Sequence, residues 1–312
     1  MCRYLPPFFE HRIRIVYSRI EDCQTIQEIK HPAVREVLSH LNITRGIEIH
    51  HDGDLPARSG IGSSSAFTVG LLNAMYALKG IMPNKQQLAR ESIYIEQDRL
   101  KETVGSQDQV LAAYGGFAQI IFSQNEEIVV RPITLSRERI QDLSSRLMLF
   151  FTGINRTASN IADTYVKDVA SKEQQMRAIS DMVTEGISIL NDGEDLDRFG
   201  KLLHEAWKAK RSLSPSVSNP QVEEIYQQAL TAGAIGGKLI GAGGGGFMLL
   251  FVPPQHQSKV RDRLGRLLNV PFKFDFTGSQ IIFCESEDDY SAEERTRDGQ
   301  TLEPFKEFRQ RG

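Results

Sequence analysis

Cysteine is scarce in this chain, with three in 312 residues, and Cys2, Cys23 and Cys284 stand far apart with no Cys-x-x-Cys pair. Such spacing supports neither a zinc site nor a disulfide framework, and it makes a reducing cytoplasm the default location. Positive charge is not in excess either: 37 Lys and Arg face 40 Asp and Glu, a formal net charge of −3. That balance gives no basic field for nucleic acid. No apolar run approaches a bilayer span, and Met1-Cys2-Arg3-Tyr4-Leu5-Pro6-Pro7 lacks the apolar core of a signal peptide. The seven histidines show no metal spacing. What remains is a composition ordinary for a soluble globular protein, 40% hydrophobic and 25% charged, on a chain long enough for two domains.

Glycine and serine are concentrated rather than scattered. The stretch Leu55-Pro56-Ala57-Arg58-Ser59-Gly60-Ile61-Gly62-Ser63-Ser64-Ser65-Ala66 follows an alternating run at residues 46–50 that reads as a strand. It precedes residues 67–78, apolar almost all round, which read as a buried helix. A strand, a Gly/Ser loop and a helix N-terminus in that order aim free backbone N–H groups and the positive dipole end at one point, where a phosphate fits. Gly60 and Gly62 allow close approach, and Ser63, Ser64 and Ser65 add hydroxyls that donate to phosphate or ligate a hard cation. The structural alternative is a serine-capped helix, but this many glycines and serines exceed what capping needs. Ala66, Gly70 and Ala74 form a small-residue stripe suited to close packing against another element.

Elsewhere the pattern predicts a strand at 12–17, helices at 32–41 and 85–100, and a hairpin from 117–122 and 127–133. A second unit starts near Arg146 with a buried strand at 147–151. Helical segments follow at 158–190, 196–213 and 220–232. A second glycine run, Lys238-Leu239-Ile240-Gly241-Ala242-Gly243-Gly244-Gly245-Gly246, then leads into an apolar strand at 247–252. An amphipathic helix at 259–268, one or two strands within 272–283, and a polar, weakly ordered tail complete the chain.

Two carboxylates stand out. Glu96 shares a helical stripe with Leu88, Ala89, Ile93 and Leu100. It either pairs with Arg99 or Lys101 at the surface or sits buried beside a cation. Asp108 follows Gly105-Ser106-Gln107 just before an apolar helix, with Ser106 and Gln109 at capping-box spacing. It reads as a first-turn acid or as a base kept ionised by the helix dipole. The second glycine run spells G-x-G-x-x-G but leads into a strand, so it is not a dinucleotide fingerprint. Five glycines in six residues imply either two backbones passing closely or a loop lining a ligand. P-loop and protein-kinase signatures are absent. Arg156, Lys208, Lys210 and Arg211 are candidates for an anionic substrate, against the alternative of a solvated face.

Taken together, these residues resemble the GHMP small-molecule kinases. Pro56-x-x-x-Gly60-Ile61-Gly62-Ser63-Ser64-Ser65-Ala66 is similar to their second motif and Lys238 to Gly246 to their third, while Glu96 and Asp108 match their magnesium ligand and catalytic Asp. Further stretches, among them Phe151-Thr152-Gly153-Ile154-Asn155-Arg156 and Leu203-His204-Glu205-Ala206-Trp207-Lys208-Ala209-Lys210, resemble the bacterial D-glycero-D-manno-heptose 7-phosphate kinases within that family. The resemblance implies an α+β fold of two domains. An N-terminal domain like ribosomal protein S5 domain 2 covers 1–140, a ferredoxin-like C-terminal domain covers 141–284, and 285–312 form a tail. It also implies ATP phosphates on Pro56, Ser59, Gly60, Ile61, Gly62, Ser63, Ser64 and Ser65, Mg2+ on Ser64 and Glu96, Asp108 as base, and acceptor binding by Arg156, Lys210, Gly243 and Gly244. The acceptor is a small sugar phosphate, with no nucleic acid or membrane partner and a homodimer left open. The family's opening Pro-x-Arg strand and glycine-rich loop find no match, so an unpaired sheet edge is expected in the first domain. Another sugar acceptor, such as fucose or an N-acetylhexosamine, and a non-catalytic binding protein of the same fold stay open.

Overall fold

The structure, a computed structural model, describes residues 1–55, 60–154, 172–285 and 290–300. Its first sheet contains β1 (Cys2–Tyr4), β2 (Ile13–Val16), β3 (Ile20–Cys23) and β4 (Ile47–His50), in the order β1-β4-β2-β3. Strand β4 runs parallel to β2, with Ile13 opposite Ile47 and Ile15 opposite Ile49. All of these isoleucines are buried, so alternation in two distant strands makes one apolar layer. Strand β1 pairs with β4 alone and forms the outer edge.

Four helices cover that layer: α1 (Pro32–His40), α2 (Ser63–Leu78), α3 (Lys85–Tyr94) and α4 (Gln107–Tyr114). Pro32 opens α1 and the His31 ring accepts from Val34 N, while Asn84 caps α3 by accepting from Gln87 N at 2.8 Å. Thr68, Val69, Leu72 and Met75 of α2 have no exposed surface. Of the small-residue stripe, Ala74 packs against the core of this domain. Ala66, Gly70 and Ala74 line a cavity of about 400 Å³ beside Met1 and Cys2, and a Cβ placed on Gly70 would meet nothing within 4 Å. The predicted hairpin forms as β5 (Ala118–Phe122) and β6 (Ile128–Pro132).

The second unit opens with α5 (Arg137–Ser145) and builds an antiparallel sheet from β7 (Leu147–Phe151), β8 (Gly236–Leu239), β9 (Phe247–Phe251) and β10 (Leu268–Val270), ordered β10-β7-β9-β8. Helices α6 (Glu173–Asn191), α7 (Asp197–Arg211), α8 (Pro220–Thr231) and α9 (Gln257–Arg263) complete it. Trp207 and Tyr226 meet Phe150, Met248 and Leu250 in the core. Helix α7 nearly touches β8: a Cβ on Gly236 would lie 2.0 Å from Gly200 O. Only glycine permits that approach, and it sets the first turns of α7 against β8.

Three expectations are corrected. The helix placed at 259–268 ends at Arg263, and Leu268 already belongs to β10, because the chain turns at Gly265. Residues 272–283 hold no strand. They cross back to the first unit, where Asp275 O accepts from Gly116 N at 2.7 Å and Ser279 N donates to Ala112 O at 2.9 Å. Within the tail, Ser291–Asp298 form α10, and Glu294 accepts from Gly46 N at 2.7 Å and pairs with Arg12. The first part of the segment expected at 158–190 lies outside the described residues. Among the described residues no helix is long and apolar enough to cross a membrane.

Candidate active site

Gly60, Ile61 and Gly62 lead directly into α2. Gly62 occupies the cap position with φ +75°, so a left-handed glycine starts this helix and the serines fall in its first turn. The amides of that turn have no intrahelical acceptor. Ser65 is buried while Ser64 is exposed, and no hydrogen bond of the Ser64 hydroxyl is found among the described residues. Pro56, Ser59 and Arg156 lie outside the described residues.

Glu96 sits in a π-helical turn, Ile95–Arg99, that extends α3. Wide turns of this kind are frequent at functional sites. The side chain is 1% exposed, and its Oε2 accepts from Ser65 Oγ at 2.8 Å and from Gln109 Nε2. The surface alternative does not hold, since Arg99 pairs with Glu36 at 2.8 Å. Burial pushes the Glu96 carboxyl above the usual carboxylate range, while the hydrogen bonds from Ser65 and Gln109 pull it back. Its second oxygen, Oε1, is buried without a partner among the described residues, and so is Oε1 of Gln109. An unpaired buried acceptor is costly, so the site is set up for a ligand that supplies positive charge or a donor.

Asp108 stands in the first turn of α4, half-buried. A Cβ on Gly62 would lie 3.0 Å from Asp108 Cγ and 3.1 Å from Oδ2, so the carboxylate rests against the start of α2. The Ser106–Gln109 capping box does not form. Ser106 Oγ accepts from Gln97 Nε2 at 3.2 Å, and Gln109, fully buried, turns inward to Glu96.

The second glycine run joins β8 to β9 and closes on the first. Gly241, at φ +73°, is so near the first loop that a Cβ there would stand 2.3 Å from Gly60 O. Gly243 and Gly245 press likewise on Val217 O and Ile154 O. Gly244 N donates to Val217 O at 2.8 Å, Gly246 N to Ile154 O at 2.9 Å, and Thr152 Oγ1 to Gly246 O at 2.8 Å. The close passage of two backbones is therefore realised.

Of the basic residues near the end of α7, Lys208 pairs with Glu205, and Arg211 pairs with Glu223 and lies over the Trp207 ring. Lys210 turns to the glycine run and donates to Gly241 O. Burial and the neighbouring Lys238 ammonium push Lys210 down to about 7, against the pull of Asp108. Burial lowers Lys238 as well. Gln109 and Lys238 were not singled out as site residues from the sequence, although one directly follows Asp108 and the other begins the second glycine motif.

This chain belongs to the GHMP kinases. The profile of the GHMP kinases N terminal domain matches residues 27–116, and that of the GHMP kinases C terminal region matches residues 187–270. The D-glycero-alpha-D-manno-heptose 7-phosphate kinase of Campylobacter jejuni is 30% identical over 231 residues, which cover 73% of this chain and 68% of the relative. A bifunctional fucokinase/GDP-fucose pyrophosphorylase of Arabidopsis thaliana is 27% identical over 227 residues, covering 70% of this chain and 21% of that longer protein. The crystal structure of a D-glycero-D-manno-heptose 1-phosphate kinase from Bacteriodes thetaiotaomicron superposes with a TM-score of 0.69 at 23% identity, covering 89% of this chain and 84% of that one. The fold is thus the two-domain α+β fold of GHMP kinases.

Proposed function

We propose that the chain transfers a phosphoryl group from ATP to the anomeric hydroxyl of a sugar phosphate, with D-glycero-D-manno-heptose 7-phosphate as the acceptor, in the cytoplasm. The observation that carries this reading is the Asp108 carboxylate resting against Gly62, at the mouth of a helix N-terminus. A phosphate held by the first-turn amides of α2 then lies beside a carboxylate able to accept the proton of the attacking hydroxyl. The heptose 7-phosphate kinase relative supports the acceptor class.

In this reading the ATP phosphates rest on Pro56 to Ser65, and the first and second domains, 1–140 and 141–284, meet around the acceptor. Gly243 and Gly244 line the acceptor side, and Arg156 and Lys210 hold its phosphate. The site also fits Mg2+. The unpartnered Glu96 Oε1 and a serine hydroxyl are hard oxygen donors, and among the described residues no group of three or more His, Cys, Asp or Glu builds an all-protein cage. Glu96 with Ser64 would hold the ion, which when bound neutralises charge on the phosphates. Ser65 and Gln109 keep Glu96 turned toward α2. Asp108, at the helix start, orients the hydroxyl and takes its proton.

A free-sugar acceptor is the second reading, favoured by the fucokinase relative. A coupled ADP-release assay over sugars and sugar phosphates, with Asp108→Asn in parallel, separates the two. The expected result is fastest turnover on heptose 7-phosphate and loss of turnover in the variant. Preference for a free sugar, or full activity of the variant, contradicts the proposal.

A further inference from the structure

The close approach of Gly200 and Gly236 lays α7 along β8, with Lys238 on the same strand face as Gly236, while Lys210 reaches the second glycine run just after β8. Both side chains are half-buried. Lys210 has a backbone carbonyl, Gly241 O, as its hydrogen-bond acceptor, and among the described residues no carboxylate pairs with either lysine. Asp108 faces Lys210 at longer range. Two ammonium groups therefore share a poorly hydrated corner against one distant acid, in a protein whose net charge is −3. Partly buried like charges are costly unless an anion joins them. Lysine is suited to that task, because its ammonium acts as a point charge toward phosphate without demanding a planar partner.

The question is which phosphate. The nucleotide's phosphates have the first-turn amides of α2 and the Glu96 site, all on the first domain. Both lysines stand on the second domain, where Lys210 reaches Gly241 O and lies within electrostatic reach of Asp108. A molecule that offers a hydroxyl to Asp108 and a dianion to the lysines spans that gap. We infer that Lys238 and Lys210 together form the anion site for the acceptor's own phosphate group. This rests on the sugar-phosphate reading above and adds Lys238 as a residue that selects phosphorylated over free sugar.

The test compares wild type, Lys238→Met and Lys238→Arg with D-glycero-D-manno-heptose 7-phosphate and with free heptose. Steady-state kinetics are run beside calorimetric binding of heptose 7-phosphate without nucleotide. In Lys238→Met, the KM and Kd for heptose 7-phosphate should rise about 10- to 100-fold, as expected for losing a hydrogen bond to a charged group. The KM for ATP should stay put, the preference for heptose 7-phosphate over heptose should shrink, and Lys238→Arg should recover part of the loss. Inorganic phosphate should compete with heptose 7-phosphate on the wild-type protein, a measurement that needs no variant to fold. If the wild type uses heptose 7-phosphate but Lys238→Met binds it unchanged, or if the ATP KM moves instead, the lysine assignment is wrong and the function stands. If the wild type prefers free heptose, both are wrong.

Discussion

On the first-domain wall of the cleft, each acidic group is held in place by its neighbours. Glu96 Oε2 takes hydrogen bonds from Ser65 and Gln109, and Asp108 leans on Gly62. On the second-domain wall, Lys210 has a single backbone acceptor and Lys238 has no carboxylate among the described residues. The walls touch through glycine, Gly60 against Gly241, but they are finished to different degrees. The acidic wall is preorganised, which is what the proposed proton transfer and cation binding require. The basic wall leaves charge uncompensated, which is what the proposed site for the acceptor's phosphate requires.

The contrast breaks most sharply at Asp108. Asp108→Asn should lower turnover by about 10³-fold or more while leaving ATP affinity nearly unchanged, measured by ADP release and by nucleotide binding. Next comes the support of Glu96. Gln109→Leu removes a donor to Glu96 Oε2, and binding of Mn2+ in the presence of ADP, followed by electron paramagnetic resonance, should weaken about 10- to 100-fold. Where the walls touch, Gly241→Ala meets both a left-handed φ and Gly60 O, and should cost about 2 kcal/mol, read as a Tm lower by several degrees. The smallest effect concerns pH. The folded-state value for Lys210 is lowered from 10.5 to about 7, so its charge opposes folding below that pH and this cost is relieved as pH rises from about 7 toward 10.5. The same loss of charge should raise the KM for a phosphorylated acceptor by about tenfold or less in all between pH 7 and 9, with Lys238 and Asp108 as the charged neighbours.

Much of the first wall was legible in the sequence because its signals are local. Gly60 to Ser65 sit between an alternating strand and an apolar helix, and Glu96 lies on the buried stripe of its own helix. Local signals also misled. Ser106 and Gln109 have capping spacing, but leaving buried Glu96 with Ser65 as its one donor costs more than leaving a helix start uncapped, so Gln109 turns inward. Strands β1 and β3 are short and carry Arg3, Glu21 and Asp22. Glu21 is buried only because Lys30 N, His31 N and the Tyr17 hydroxyl donate to it, and no periodicity reports that. Residues 272–283 look strand-like, yet Asp275 accepts from Thr277 N and Gly278 N and turns the chain. Of the lysine corner only Lys210 was singled out from the sequence, since Gly200 and Gly236 bring Lys238 to it from a separate element.

The most direct test of the division between the walls is steady-state acceptor kinetics of Asp108→Asn and Lys238→Met side by side on heptose 7-phosphate. An acidic wall that does the chemistry and a basic wall that holds the acceptor predict a fall in kcat with KM preserved in the first variant, and a rise in KM with kcat preserved in the second. The same constant moving in both variants would contradict it.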